Sequence, residues 1–280
     1  MTEYESSYLS IARELIDTGA LRKDRTGVGT RALFCKELVH DWAEGFPVMR
    51  HRAYNPVAAF GEMVCFMRGF THIDEFIKRK CNWWQANLDD FNKRNECPNN
   101  KDLGPIYGYK WRNFHGFDQL LWLIGEAERN PHSRRLLVTA WDPSDQKRAV
   151  LPPCHYSWQI FINGAELDLE FNMRSVDWML GCPADMAAYG FLQLALCRQL
   201  GKVPGRLIGK FADTHIYLSH MRAAEEMLDS LPVALPGKDP LQYYSWAENA
   251  PTNMFQIEPH HLELHPGMLQ GPRVKFEMAV

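Results

Sequence analysis

Apolar residues recur at helical spacing from the start of the chain. Tyr4, Tyr8, Ile11 and Leu15 share one face of an amphipathic helix over residues 3–18, and Gly19 supplies its stop. A second helix opens at Asn55-Pro56 and is apolar nearly all round, through Val57, Ala58, Phe60, Met63, Val64, Phe66 and Met67, which predicts burial. Glu62 lies in its middle, and a buried carboxylate needs a partner or a task. Further on the period falls to two. Tyr156–Ile162 and Glu166–Phe171 alternate about Asn163-Gly164, a hairpin turn pair, and Leu136–Trp141 is a strand candidate. Pro183 starts a third buried helix running to about Leu200. Asp24-Arg-Thr-Gly-Val-Gly-Thr30 is a turn leading into a short strand, residues 90–102 read as polar loop, and residues 231–252 are loop-rich ahead of a tail with short apolar segments. No repeat, low-complexity tract or Pro/Ser-rich linker divides the pattern. It predicts one α+β domain over residues 1–280, a sheet with buried helices against it.

Composition narrows the function classes. Hydrophobic residues make up 46% of the 280, with nine tryptophans, enough for a substantial core. The formal charge of -3 lacks the broad basic footprint of a nucleic-acid binder, so any phosphate should meet a few local arginines. Seven cysteines are scattered without CxxC pairs or close Cys/His spacing, which predicts reduced thiols in a cytoplasmic compartment and no metal site. No cationic leader and no apolar run of 18 residues is present, so no membrane span is expected.

The chemistry concentrates in a few segments. Leu151-Pro-Pro-Cys-His155 precedes one strand, and Phe171-Asn-Met-Arg-Ser-Val-Asp177 follows one hairpin later. Cys154 is either a small buried hydrophobe or a nucleophile whose pKa the neighbouring Arg174 would lower. Arg25, Arg134, Arg135, Arg174 and Ser175 form a candidate anion set. Arg134 and Arg135 are consecutive, so both could reach one anion only from a loop. Asp213, His215 and Tyr217 would face one way on a strand, either as a polar sheet face or as a grip on a sugar hydroxyl. Asp185 falls at the third helical position after Pro183, where an acid also complements the helix dipole.

In combination and order, Asp24-Arg-Thr-Gly, Gly61-Glu62, Leu103-Gly-Pro-Ile-Tyr-Gly, Ser133-Arg-Arg, Pro152-Pro-Cys-His, Met173-Arg-Ser, Asp213-Thr-His-Ile-Tyr and His265-Pro-Gly resemble the thymidylate synthase family from about Tyr4 to Val280. The resemblance implies that family's mixed-sheet fold and 5,10-methylenetetrahydrofolate as one-carbon donor. By it, Cys154 adds to C6 of a pyrimidine nucleotide, Glu62 organises proton transfer at the C4 edge, Tyr107 helps remove the C5 proton and His155 supports a water network. Arg25, Arg174 and Ser175 would hold the 5′-phosphate, joined by Arg134 and Arg135 from the partner of a homodimer. His215 and Tyr217 would hold the 3′-hydroxyl. Asp177, Leu151, Gly181 and Trp84 would line the folate site, with Trp83 competing for the last role and Val280 closing over it.

Two departures from that pattern carry meaning. The family typically reads Q-R-S and P-F-N where this chain has Met173-Arg-Ser175 and Pro183-Ala-Asp185, and the latter forms look like the viral deoxycytidylate hydroxymethylases. An ionised Asp185 cannot donate to O4 of uracil but can accept from N4 of cytosine. dCMP is therefore the expected substrate. Ala184, in place of a large ring, leaves room for water, which predicts 5-hydroxymethyl-dCMP. Pro152-Pro-Cys-His and Tyr107 are synthase-like and keep 5-methyl-dCMP open as the product. Ordinary thymidylate synthesis from dUMP, or a homologue that has lost turnover and binds nucleic acid, are the remaining alternatives.

Overall fold

The computed structural model describes residues 2–49, 51, 56–230, 244–265, 274 and 276. Helix α1 (Glu3–Thr18) matches its periodicity. Thr2 caps it: its hydroxyl accepts from Glu5 N–H, and the Glu5 carboxylate accepts from Thr2 N–H in return. β1 (Ala20–Arg22) leads through the Asp24 turn into β2 (Thr30–Asp41), which at 12 residues is no short strand. Hydrogen bonding to a long neighbour sustains it, a non-local cause that local alternation does not reveal.

The buried helix α2 (Val57–Arg68) is present and ends on Gly69 in the left-handed region, φ 72°. Next come α3 (Ile73–Lys78) and α4 (Trp84–Arg94). The second overruns the loop expected from residue 90, because Leu88 and Asn92 are buried on one face and Arg94 pairs with Asp90 at 2.9 Å on the other. α5 (Tyr107–Arg112) and α6 (Gln119–Arg129) complete the helical run.

Strand β3 (Leu137–Thr139), β4 (His155–Asn163) and β5 (Glu166–Asp177) contain the predicted hairpin, with Gly164 at φ 61° in its turn. β5 runs on past the alternating stretch to Asp177. α7 (Gly181–Leu200) then crosses over to β6 (Val203–Tyr217), followed by α8 (Met221–Leu228) and the small pair β7 (Tyr244–Trp246) and β8 (Leu262–Leu264). Most of the expected loop-rich stretch, residues 231–243, and most of the tail lie outside the described residues.

The main sheet has the order β1-β2-β6-β5-β4-β3; β5 and β6 are parallel and the other pairs antiparallel. It is a mixed sheet in an α+β fold, as expected. α7 packs between this sheet and α2, stacking Tyr189 on Phe171 at 4.0 Å and Phe191 on Phe60 at 4.8 Å. Gln193 is the fully buried polar residue at the middle of α7. Its amide donates to the carbonyls of Leu167 and Arg206 beside a register shift in the β5–β6 pairing, and its oxygen accepts from Trp42 Nε1. Among the described residues no helix is long and apolar enough to cross a membrane.

Gly61 explains how Glu62 is positioned. A Cβ at residue 61 would lie 2.1 Å from the Arg79 carbonyl oxygen, so only glycine lets α2 approach the chain after α3 this closely. That approach sets Trp83 and Trp84 beside Glu62. Gly61→Ala is expected to cost about 1–3 kcal/mol through overpacking. The check is thermal unfolding, where an unchanged Tm would show that the two segments separate freely.

Candidate active site

Cys154 ends the loop before β4, and Arg174 sits beside it on β5, where Arg174 N–H donates to the Cys154 carbonyl at 2.9 Å. The guanidinium fastens the same loop: Nε donates to Pro153 O at 2.8 Å and Nη2 to Pro152 O at 2.9 Å, leaving Nη2 3.7 Å from Cys154 Sγ. Burial pushes the thiol pKa up, while Arg174 and, less strongly, Arg25 pull it down. Burial wins. The expectation of a thiol lowered by Arg174 is corrected here: the field exists, but desolvation of a thiolate outweighs it in the unliganded pocket.

Tyr107, on α5, accepts from Cys154 N–H through its hydroxyl at 3.2 Å, and burial followed by the charge of Cys154 raises its pKa well above the usual value. It remains a phenol at neutral pH. Glu62 Oε1 accepts from both Trp83 Nε1, at 2.8 Å, and Trp84 Nε1, at 2.6 Å. Burial lifts its pKa to about 7 against the pull of those two indoles and of His155, which poises it to give or take a proton near neutrality. The Trp84 ring is enclosed by Phe66, Phe76 and Tyr107, so Trp83 presents the more accessible face.

Asp185 is not in the first helical turn. α7 starts at Gly181, ahead of Pro183, so Asp185 is its fifth residue and no acid occupies the first turn. Asp177 instead fixes the turn ahead of the helix, its Oδ1 accepting from the N–H groups of Met179 and Leu180 at 3.0 and 3.1 Å. The dipole explanation for Asp185 therefore fails on geometry. Its Oδ1 lies 3.0 Å from His155 Nε2, with side chains 12% and 8% exposed. Burial alone would push the imidazole down, but the Asp185 charge and hydrogen bond override it and hold His155 above the ordinary 6.5.

Sequence reasoning gave both residues but not their pairing, which joins a strand to a helix and has no short-range signal. It also missed Tyr189, one turn beyond Asp185. Its ring lies 5.4 Å from His155, and its buried hydroxyl has no hydrogen-bond partner among the described residues. The i, i+4 spacing from Asp185 could have pointed to it.

The anion and sugar candidates divide into two groups. Arg25 is exposed on a turn tied by Asp24, whose Oδ1 accepts from Gly29 N–H at 2.8 Å and whose Oδ2 accepts from the Thr26 N–H and hydroxyl. Its charge is felt at Cys154 and Tyr217, so it lies within electrostatic reach of both. Asp213, His215 and Tyr217 do share a face: His215 Nδ1 is 3.0 Å from Asp213 Oδ1, and its ring meets that of Tyr217 edge-on at 5.2 Å. The parallel register sets Ser175 against Asp213 and Asp177 against His215. Leu151 is half-buried just before the two prolines. Gly181 stands between acids, since a Cβ there would lie 3.5 Å from Asp185 Oδ2 and 3.8 Å from Asp177 Cβ.

Arg134 and Arg135 occupy an exposed turn, the loop geometry they need, without a carboxylate partner among the described residues. The chain does not bring them to Cys154. Arg134 lines a groove with Phe161, Asp168, Glu170 and Arg206, away from the thiol. Val280 lies outside the described residues.

The ion pair has a defined pH window. A raised imidazole pKa means its stabilisation is complete below 6.5 and is lost as pH rises through the elevated folded value. Asp185→Asn removes the carboxylate and leaves burial uncompensated, so the His155 pKa is expected to fall. NMR titration of the imidazole checks this, and an equal or higher pKa in the variant would contradict the pairing.

Comparison with known proteins agrees with this geometry. The family model described as thymidylate synthase matches residues 6–280. Three relatives share 32–38% identity with the chain. A protein named thymidylate synthase from Phytoplasma mali (strain AT) is 32% identical over 254 residues, covering 82% of this chain and 87% of the relative. One named probable thymidylate synthase from Escherichia phage T5 is 38% identical over 243 residues, with 82% and 85% covered. A thymidylate synthase from Equine herpesvirus 2 (strain 86/87) is 34% identical over 277 residues, with 93% and 96% covered. The chain belongs to the thymidylate synthase family, one-carbon transferases that bind nucleotide and folate, use 5,10-methylenetetrahydrofolate as cosubstrate and are generally dimeric.

Proposed function

We propose that the chain transfers a one-carbon unit from 5,10-methylenetetrahydrofolate to C5 of dCMP and releases 5-hydroxymethyl-dCMP. The observation that carries this is the Asp185 carboxylate, held in the Cys154 pocket by His155 through Oδ1, with Oδ2 lacking a hydrogen-bond partner among the described residues. Oδ2 is an acceptor without a hydrogen to give. It suits the N4 amino group of cytosine and opposes O4 of uracil.

The roles follow from the geometry. Cys154 Sγ bonds to C6 as its proton passes to water, the C5–C6 π pair moves to C5, and C5 bonds to the one-carbon unit as that unit's bond to folate N10 opens. Arg174, already on the sulfur, stabilises the developing thiolate and shares the 5′-phosphate with Arg25 and Ser175. Glu62, with its pKa near neutrality, moves a proton at the C4 edge; Tyr107, a phenol, relays the C5 proton to water, and the C5–H pair forms the exocyclic double bond as tetrahydrofolate leaves. Loss of tetrahydrofolate leaves an exocyclic methylene. Water adds to it as the C6–S bond breaks. Ala184 is small and half-buried next to Asp185, which supports a place for that water. His215 and Tyr217 take the 3′-hydroxyl. Asp177, Gly181, Leu151 and the accessible ring of Trp83, rather than Trp84, face the folate.

A second copy is part of the proposal. Phe34 and Phe161 are 78% and 67% exposed on strands of the main sheet, and Arg134 lies in the same groove as Phe161. A partner covering that surface would bury the two aromatics and carry Arg134 and Arg135 to its own neighbour's phosphate.

Thymidylate synthesis is the second reading, favoured by the printed names of the relatives. Product mass after incubation with dCMP or dUMP and methylenetetrahydrofolate separates them, with dihydrofolate absorbance followed in parallel. Expected are 5-hydroxymethyl-dCMP and no dihydrofolate. 5-methyl-dCMP with dihydrofolate would replace hydroxymethylation by methylation, and turnover of dUMP alone would end the cytosine assignment. Asp185→Asn is expected to lower the dCMP-to-dUMP ratio of kcat/KM by about 10³-fold or more, within the ~10⁴-fold that hydrogen-bond readers reach. An unchanged ratio would remove Asp185 from base selection.

A further inference from the structure

Outside the pocket, the densest buried charge lies between α5 and the loop that ends in Cys154. Lys110 is 4% exposed, and its Nζ donates to Asp142 Oδ2 at 2.7 Å and also contacts Asp145 Oδ2; those side chains are 8% and 6% exposed. Arg148 meets Asp145 Oδ1 at 2.7 Å and His115 meets Asp142 Oδ2 at 3.0 Å from the surface side. Asp142 Oδ1 separately accepts from the Ser144 N–H and hydroxyl, which fixes the start of the loop. Burying a lysine between two acids is a poor route to stability, because desolvation offsets most of the attraction. What such a cluster supplies is a single geometry.

That geometry leads to the reacting sulfur. Lys110 lies one turn beyond Tyr107 on the same short helix, so the two move together. The segments 103–112 and 142–154 are joined at three places. Lys110 holds Asp142 and Asp145 at one end. In the middle, Val150 N–H donates to Leu103 O at 2.9 Å, and Gly104, at φ 75°, lies so close that a Cβ would be 2.3 Å from Arg148 O. At the far end, Tyr107 accepts from Cys154 N–H at 3.2 Å. Gln119 braces the helix from behind by donating to Lys110 O and Thr139 O.

We propose that Lys110 is a positioning residue for the Cys154 reaction, clamping α5 to the nucleophile loop through Asp142 and Asp145 and thereby setting the contact between Tyr107 and Cys154. This rests on the assignment of Cys154 as nucleophile. Most of the proposed nucleotide set, Arg25, Ser175, His215 and Tyr217, lies on other elements, so the clamp acts more on the chemical step than on substrate affinity.

Lys110→Met in the full chain is expected to lower kcat by ~10–100-fold, the scale of an ångström's misplacement, with nucleotide KM within twofold of wild type. Lys110→Arg keeps the charge and its hydrogen bonds and is expected to recover kcat to within about threefold of wild type on the same scale. Asp142→Asn preserves the Ser144 cap, loosens only the clamp, and is expected to show the same kcat-selective loss at smaller size. It serves as the test should the methionine variant fail to fold. Wild-type kcat in a folded Lys110→Met or in Asp142→Asn, or parallel loss of kcat and affinity, would overturn the clamp. All variants are assayed with whichever of dCMP and dUMP the wild type consumes. A Cys154→Ser variant that still turns over either nucleotide would overturn the nucleophile assignment instead.

Discussion

Strand β5 is the constraint on which the site depends. It is hydrogen-bonded along both edges, antiparallel to β4 and parallel to β6, so its register fixes what stands beside what. Arg174 is placed at Cys154, Ser175 at Asp213 and Asp177 at His215 by backbone pairing alone. A slip of one residue would turn all three β5 side chains to the opposite face. The parallel pairing also demands a crossover, and α7 is that crossover. It begins a few residues after β5 ends, through a turn that Asp177 at the end of β5 fixes, and returns over the sheet carrying Asp185 to His155. A chain-topology requirement therefore delivers Asp185 to the pocket.

Burial sets the charge state of the pocket. Desolvation raises Glu62, Cys154 and Tyr107 together, and the one pair that compensates is His155 with Asp185. The site thus combines a raised imidazole facing Asp185, a neutral thiol and a carboxyl whose pKa is about 7. Arg174 and Arg25 face the thiol as cations, and their fields reach it without overcoming its desolvation. On the proposed mechanism the negative charge passes from sulfur into the pyrimidine as the C6 bond forms, so a sulfur held as a neutral thiol until then is consistent with it.

Much of this was legible along the chain where the cause is local. The α1 stripe, the apolar α2, the Asn163-Gly164 hairpin and the long buried α7 each follow from spacing and turn chemistry within a few residues. Where the cause is non-local, spacing failed. β2 is long because β6 pairs with it, and α4 runs past residue 90 because Asn92 finds a buried partner in the Asn100 carbonyl. The same division holds in the site. Cys154, Arg174 and Glu62 announce themselves by residue type and setting. The His155–Asp185 pair, the double indole grip on Glu62 and the Lys110 cluster exist only once separate elements meet. Asp185 shows the difference within one residue: its residue type stands out along the chain, while its expected place in the first helical turn depended on a boundary that Pro183 misplaced.

The His155 partnership changes what Asp185 can do. A lone buried carboxylate would take up a proton and so become a donor, able to serve uracil O4 after all. His155 Nε2 stands 3.0 Å from Oδ1, and that contact raises the imidazole, so Oδ2 is left to meet the base edge. Asparagine in the same place would offer both an oxygen and an N–H, and so could turn to suit either base. The proposed selection for cytosine therefore rests on the pair as a whole: His155 holds one carboxylate oxygen so that the other can accept from N4, and weakening that contact would loosen the choice of base.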